Sequence, residues 1–483
     1  MPKNFIVIGA GIGGLATALR LAHRGHRVTI LEKTDQIGGR NRPLQVGQAH
    51  FDSGPTLMMM LDPFKKLFED IGERMEDHLE IELCDPSYRV FYSDGSRLDG
   101  TPNVAQMIQQ MQAMGATRDA ENYPAFLGKL AGLYHDSIPH FVRKNFLNPL
   151  DFAGPKQLGI VLKRKMLSNL AKQIDKEIQD PKLRMLFSFQ TMYLGLSPFD
   201  APWVYGVLTY MEYGEGIWYP KGGIIEICNV ISRLSQQKGV EIQTNSPVCK
   251  IEGSAVVLED GRRLTADAII CNADLPYAEQ ALTRQPPRNH AKRRYSCSAF
   301  MIYADLDQEV PSILHHNVFF GKNFKGNLDQ IFHQRALPDD PAFYVCASSK
   351  SEPHRARLGG TSLMVLVPCA NLDRPWSQDD HDFLVSKIYE RLEKETEFKR
   401  ECIKEVKTLT PEDWKSQLNL DRGAAFGLSH DFLQSAFFRP SNKSKTNPNL
   451  YYVGASTQPG NGLPMVLISA ELVEDRMRRE GLI

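Results

Sequence analysis

Apolar residues gather first at residues 5–8, "FIVI", a run too short for a helix and rich in β-branched side chains. After a cluster of glycines they recur at helical spacing over residues 15–23 and then form a second short run at 28–31, which ends at Glu32. The pattern predicts strand, turn, helix, strand. From about residue 101 to 219 the spacing is largely helical with charged faces, and residues 220–274 return to alternating strand and helix. There a helix is expected to open at Lys221-Gly222-Gly223, a strand at 240–244 and a hairpin turn at Asp260-Gly261. A second hairpin is expected around Asp94-Gly95, and strands at 299–304 and 362–367. Near the far end, residues 450–453 read as a strand, 455–464 as a glycine-rich loop and 465 onward as a helix. The pattern implies an α/β chain in five stretches, 1–100, 101–219, 220–274, 275–420 and 421–483, of which the first, third and fifth build one discontinuous Rossmann-like domain.

Composition narrows the partners. The chain has 483 residues, with 57 Lys and Arg against 57 Asp and Glu, so no global charge excess points to nucleic acid. Its eight cysteines are scattered without a C-x-x-C pair, which predicts small core residues in a reduced compartment, a cytoplasmic location and no metal site. The apolar N-terminal run is interrupted by Gly9, Gly11, Gly13 and Gly14 and diluted by Arg20, His23 and Arg24, unlike a secretory signal.

The glycines carry chemistry. Gly9-Ala10-Gly11-Ile12-Gly13-Gly14 fits G-x-G-x-x-G: Gly9 permits the tight turn, Gly11 lets backbone approach a pyrophosphate, and Gly14 lets helix pack on strand. The helix N-terminus offers N–H groups and a positive dipole end to phosphate. Glu32, eighteen residues beyond Gly14, is placed to bind the ribose hydroxyls of an adenosine. Gly38, Gly39 and Arg40 follow as a second turn, with Arg40 able to fork onto a phosphate. Gly54-Pro55-Thr56 would turn the chain beneath a flavin ring, and Val248 would cover the adenine through its backbone. The loop from Gly454 to Pro464, with the helix opening at Met465, would aim an N–H at the flavin edge.

With those motifs in view, the chain resembles the bacterial and fungal carotenoid desaturases, the phytoene and diapophytoene type within the FAD-dependent amine-oxidase-like superfamily. The resemblance runs through "VIGAGIGGLATALRLAHRGHRVTILEK", "IGGR", "FDSGPT", "LGLSPFDAPWVYGVLTYMEYGEGIWYPKGG", "HHNVFFG", "SAFFRPSNKS" and "LYYVGASTQPGNGLPMVL". It implies non-covalently bound FAD, a mixed α+β substrate domain and a lipophilic polyene substrate. It also implies hydride transfer to flavin N5 with proton loss, and re-oxidation by a quinone or oxygen. One departure is Gln458, where many members carry histidine. Terminal oxygenation or cis–trans isomerisation of the same substrates are alternative reactions. An amine oxidase is disfavoured, because residues 454–469 include no aromatic residue for a substrate cage.

A membrane-dissolved substrate calls for access from the bilayer. Residues 139–173 mix Phe141, Phe146, Leu147, Phe152, Leu158, Leu162 and Leu167 with Arg143, Lys144, Lys163, Arg164 and Lys165, the composition of a helix lying on a membrane surface or of an ordinary basic amphipathic helix. Such peripheral attachment would make this stretch the helical membrane-associating region. Phe187, Phe189, Met192, Tyr193, Trp203, Tyr210, Tyr213, Trp218 and Tyr219 are expected to line an apolar tunnel. No catalytic side chain is assigned from sequence; Glu212 and Glu215 are candidate bases or structural acids.

Overall fold

The computed structural model describes residues 1–146, 154–286 and 292–483. Strand β1 (Asn4–Ile8), helix α1 (Ile12–His23) and strand β2 (Arg27–Leu31) form the expected opening unit. Around it lies a five-stranded parallel sheet in the order Leu450–Tyr452, Ala268–Cys271, β1, β2, Glu241–Gln243. Val7 pairs with Ile270 on one side and Ile30 on the other. Phe5 and Val7 face α1 and the helices Ile225–Gln237 and Leu463–Arg479. Ile6 and Ile8 face a small antiparallel sheet of Val248–Glu252, Ala255–Leu258 and Arg263–Thr265. Burial on both faces is why β1 reads as a continuous apolar run rather than an alternating one.

A second sheet of seven strands runs Ile403–Leu409, Ser298–Leu306, Thr361–Cys369, Phe343–Cys346, His316–Phe319, Tyr88–Phe91, Arg97–Gly100. The Asp94-Gly95 hairpin forms, but its strands close the edge of this sheet, through a parallel pairing of Val90 with Val318, and do not join the parallel one. The strand Ser298–Leu306 divides its side chains by period two: Phe300, Ile302 and Ala304 pack toward the helix Gln378–Glu395, and Ala299, Met301 and Tyr303 toward the opposite face. The third body of structure is helical, with Val104–Ala113, Thr117–Ser137, Leu170–Glu177, Pro181–Leu186 and Val207–Tyr213 around one apolar core.

Residues 139–173 are not one helix. A π-type turn covers Ile138–Val142, a helix covers Pro155–Lys163, and a new helix starts at Leu170. Lys165 adopts φ +52°, which ends the first helix, and Pro139 and Pro155 restrict where a helix can continue. Arg143 pairs with Asp62 at 2.9 Å and Arg164 with Asp136 at 2.7 Å, so both are engaged within the fold. Leu147 and Phe152 lie outside the described residues. No helix among the described residues is long and apolar enough to cross a membrane.

Candidate functional site

The first glycine turn is built from backbone packed on backbone. Gly9 has φ +94°, and its N–H donates to Leu31 O at 2.8 Å. A Cβ on Gly14 would lie 2.1 Å from Gly9 O, and one on Gly11 would lie 2.8 Å from Asn272 Oδ1. Gly11 caps α1 without a side-chain hydrogen bond, which leaves the first-turn N–H groups of the helix to an anion.

Glu32 has a second duty that its position at a strand end does not announce. Its carboxylate accepts from the Ala10 N–H at 2.8 Å and from the Thr34 N–H at 3.0 Å. With the Thr34 hydroxyl also donating to it at 2.9 Å, it ties the glycine turn to the end of β2, and the oxygen facing Ala10 keeps one further acceptor position. Val248 sits beside Ile8 and Leu31 in the core under this corner, and the Ser246 N–H donates to Glu32 O at 2.8 Å.

The second turn lies on the first. The Gly38 N–H donates to Ala10 O at 2.9 Å, and a Cβ on Gly39 would come within 3.4 Å of Gly11 Cα. Arg40 reaches Asp274 at 3.8 Å, and Asp274 accepts from Ser456 Oγ at 2.6 Å, so the arginine is linked to the C-terminal loop. Gly54 packs under Arg40, where a Cβ would lie 2.5 Å from Arg40 O.

The C-terminal helix opens at Leu463, two residues before the expected start at Met465. Pro464 is accommodated in the first turn, where a missing N–H costs nothing. Gly454 has φ +136°, and its N–H donates to Ser469 Oγ at 3.3 Å.

Arg40, Gly54, Pro55, Thr56, Pro464 and Met465 share one cavity of about 430 Å³, within the range of small-molecule sites. Its other walls come from the seven-stranded sheet (Met301, Val318, Tyr344, Leu366) and the helical body (Leu57, Met59, Leu208, Met211). Gly9, Gly11, Gly14, Glu32, Gly39, Val248 and Gly454 do not line it; they belong to the adjoining turns and their support.

The donor set suits FAD: uncapped helix N–H groups and an arginine for the pyrophosphate, an oriented carboxylate for the ribose, and an apolar cavity beside them for a ring. Of the nine residues expected to form a tunnel, Phe189, Met192 and Tyr193 line the cavity. Phe187 stacks on Tyr123 and meets Tyr213 edge-on in the helical core instead, and Tyr219 donates to Glu352 at 2.7 Å. Trp203, Tyr210 and Trp218 also lie outside the cavity wall. Adjacent positions in short helices point in different directions, so a shared aromatic composition does not place them on one wall.

Four residues that sequence reasoning missed organise the site. Asn272 stands between the two chain ends: its Nδ2 donates to Val453 O at 2.9 Å, and its side chain fills the space beside Gly11 and Gly13. Arg439 is buried and donates only to backbone carbonyls, including Thr457 O at 2.8 Å and Ala455 O at 2.5 Å, which fixes the C-terminal loop. Asn442 donates to Gln458 O at 3.1 Å and to Ser469 Oγ at 3.0 Å.

His430 lines the cavity beside Gly460 and accepts from the Asn461 N–H at 3.3 Å. Burial, with Arg439 nearby, holds its pKa well below the usual imidazole value, so the ring is neutral with its proton on Nδ1. An imidazole thus stands close to the loop bearing Gln458, whose own Nε2 donates to Ala436 O at 3.3 Å. Arg439 and Asn442 fall within the stretch "SAFFRPSNKS" that carries the resemblance, but nothing in the sequence singled out any of the four.

Two further polar groups stand in the cavity wall. Thr56 and Tyr344, both in the wall, share a hydrogen bond of 2.8 Å, and Tyr344 reaches His316 Nδ1 at 2.7 Å. Cys84, His315 and His316 present ligand atoms within 4.8 Å of one another, a grouping not visible in cysteine spacing. His316 already contacts Cys84 at 3.6 Å, and His315 contacts Ser351 at 2.6 Å.

A family model described as flavin-containing amine oxidoreductase matches residues 12–473. The chain is 40% identical to the zeta-carotene-forming phytoene desaturase of Myxococcus xanthus, over 98% of this chain and 94% of that protein. It is 34% identical to a 4,4'-diapophytoene desaturase (4,4'-diaponeurosporene-forming) of Staphylococcus haemolyticus, over 98% of each. Among solved structures, an oxidoreductase from Methanosarcina mazei aligns with a TM-score of 0.63 at 18% identity, covering 98% of this chain and all of that one.

Proposed function

The chain belongs to the flavin-containing amine oxidoreductase family, and we propose that it is the FAD-dependent desaturase of a linear carotenoid precursor of the phytoene or diapophytoene type. The observation that carries this reading is the cavity wall. It contains no aspartate or glutamate among the described residues, and its ionisable side chains are Arg40, Lys144, His430 and three tyrosines. A protonated amine would be left there without a counter-charge, whereas an apolar polyene loses nothing by entering.

In this reading the turns at Gly9, Gly11, Gly14 and Gly39, with Arg40, hold the pyrophosphate, and Glu32 holds the ribose. Val248 covers the adenine. Gly54, Pro55 and Thr56 support one side of the ring, and Gly454, Pro464 and Met465 the other. FAD, when bound, supplies the two-electron acceptor for a hydride. The protein's own work is to exclude water, to hold the polyene extended between sheet and helical body, and to receive a proton.

The same reading includes peripheral attachment to a membrane. Leu158, Leu162 and Leu167 are exposed next to exposed Lys156, Lys163 and Lys165, and the helix Pro155–Lys163 rests on the helical core only through the half-buried Ile160 and Val161. Phe141, Val142, Lys144 and Phe146, from the same stretch, line the cavity, so an apolar substrate leaving a bilayer here would have a short path inward. A quinone or oxygen would re-oxidise the cofactor.

The test is incubation of the FAD-loaded protein with liposomes carrying phytoene or its thirty-carbon analogue and an acceptor. Products absorbing at longer wavelength are expected. A colourless product from both precursors would favour isomerisation or oxygenation, and turnover of simple amines would overturn the reading.

A further inference from the structure

Desaturation removes a hydride from one carbon and a proton from its neighbour, and the cavity wall offers no carboxylate for the proton. A carboxylate does lie directly behind it. Glu212, on the helix Val207–Tyr213, is wholly buried and accepts from Tyr193 Oη at 2.8 Å and from Gln190 Nε2 at 3.1 Å. Tyr193 is a wall residue, and its hydroxyl also lies 2.5 Å from that of Tyr88.

The groups around Glu212 are all neutral. The Tyr193 hydroxyl, from the turn Phe189–Leu194, and the Gln190 amide bond to it, and the Tyr88 hydroxyl from the seven-stranded sheet bonds to Tyr193. The phenols of Tyr123, from the helix Thr117–Ser137, and Tyr213, from its own helix, are the other titratable groups near it. Glu212 forms no ion pair among the described residues. An acid buried without a cation costs stability, and a purely structural position would be served as well by glutamine. What glutamate adds is the capacity to take up a proton.

Resting on the desaturase reading, we propose that the Tyr193–Glu212 pair receives the substrate proton. FAD, when bound, would accept the hydride with its electron pair, which would leave a positive charge spread over the polyene double bonds. The adjacent C–H bond then breaks and its electron pair becomes the new carbon–carbon double bond. The proton goes to the Tyr193 oxygen as Tyr193 passes its own proton to the Glu212 carboxylate, so atoms and charge balance. Tyr193 is the residue in contact with substrate; Glu212 acts through it. Burial, partly offset by the Gln190, Tyr193 and Tyr213 side chains, pushes the Glu212 carboxyl up to about 7, so the acceptor form is present from neutral pH upward.

The experiment compares the wild-type protein with Glu212→Gln and Tyr193→Phe, each checked for FAD content and for polyene binding. Both variants should keep cofactor and substrate but lose about 100-fold or more in desaturation, the range of a lost general base. The wild-type rate should rise with pH through a limb near 7, and Glu212→Gln should lose that limb. In the ligand-free protein, an infrared carboxylic-acid band should vanish with a midpoint near 7 and be missing in Glu212→Gln. Unchanged rate and pH profile in Tyr193→Phe, a variant that preserves the ring and its packing, would overturn the relay while leaving the desaturase reading intact. An acid band that titrates in the ordinary carboxylate range would overturn it as well. Wild-type protein that leaves both precursors colourless would instead overturn the desaturase reading and the relay with it.

Discussion

The glycine turns and the cavity wall touch at Arg40 and Gly54 but are built on opposite principles. In the turns, backbone meets backbone: Gly14 against Gly9 O, Gly38 on Ala10, Gly39 over Gly11. Specificity there comes from absent side chains, and small changes are excluded by hard contact. In the wall, side chains from the seven-stranded sheet and a helical body converge, most of them apolar, and Glu212 stands one layer behind. The turns should therefore fail abruptly under minimal substitutions, whereas the wall should tolerate changes of shape and respond to changes of charge.

The largest effect is expected in the turns. Gly14→Ala places a methyl group 2.1 Å from Gly9 O, and relief requires α1 to move off the sheet. A loss of about 4 kcal/mol or more is expected, in the class of severe overpacking. It would be read as the loss of flavin absorbance and of a cooperative thermal transition in the purified protein. A Gly14→Ala protein with normal flavin content would break the comparison at its strongest point.

Next comes the wall. Burial raises the Glu212 carboxyl from its ordinary value to about 7, so the native state binds this proton more tightly than the unfolded chain. The group costs nothing below the unfolded value, and stability falls as pH rises through the window up to about 7. Above that window the full cost, roughly 3 kcal/mol, is present. Glu212→Gln should therefore be more stable than wild type at pH 8, and the gap in denaturant midpoint should close at pH 4. A gap independent of pH would show that ionisation at this site is not what stability senses.

A smaller effect separates structure from ligand binding within the turns. Glu32→Ala removes the acceptor of the Ala10 and Thr34 N–H groups together with the ribose contact. FAD retention should weaken by ~1.5–3 kcal/mol, measured by fluorescence titration of the released flavin. Glu32→Gln, which keeps one acceptor for the turn, should recover part of the affinity. Equal losses in both would place the whole effect on the ribose.

The smallest is on the surface beyond the helix Pro155–Lys163, where Lys163 and Lys165 are exposed beside Leu162 and Leu167. Charge reversal of both lysines should weaken sedimentation with anionic liposomes by about 1 kcal/mol per residue, and the loss should shrink in high salt. Arg164, paired with Asp136, should matter less than either lysine.

What could be foreseen follows the same division. The opening strand, turn and helix were legible because G-x-G-x-x-G fixes backbone conformation within a few residues. Asn272 was not: it is one polar residue at a strand end, and its meaning appears only when Val453 and Gly11 arrive on either side. His430 was hidden for the same reason, since its partner Asn461 lies on another loop. Phe187 and Phe189 show the limit of composition. They are both aromatic and nearly adjacent, yet one is core and the other is wall, because direction depends on local turn geometry that no spacing rule supplied. The helix start moved from Met465 to Leu463 because proline ends helices but is welcome in their first turn.

The position of Asn272 also has a consequence for synthesis. The strand Leu450–Tyr452 and the helix Leu463–Arg479, which close the parallel sheet beside Ala268–Cys271 and cover α1, leave the ribosome long after the opening turn. At about 5–20 residues per second, the opening turn waits for tens of seconds with one side of its support missing. Throughout that interval Gly13 faces the space that Val453 and Val466 will fill, and the apolar face of α1 is open. Nascent chains should therefore lean on chaperones until the helix Leu463–Arg479 has emerged, and flavin loading should follow its docking.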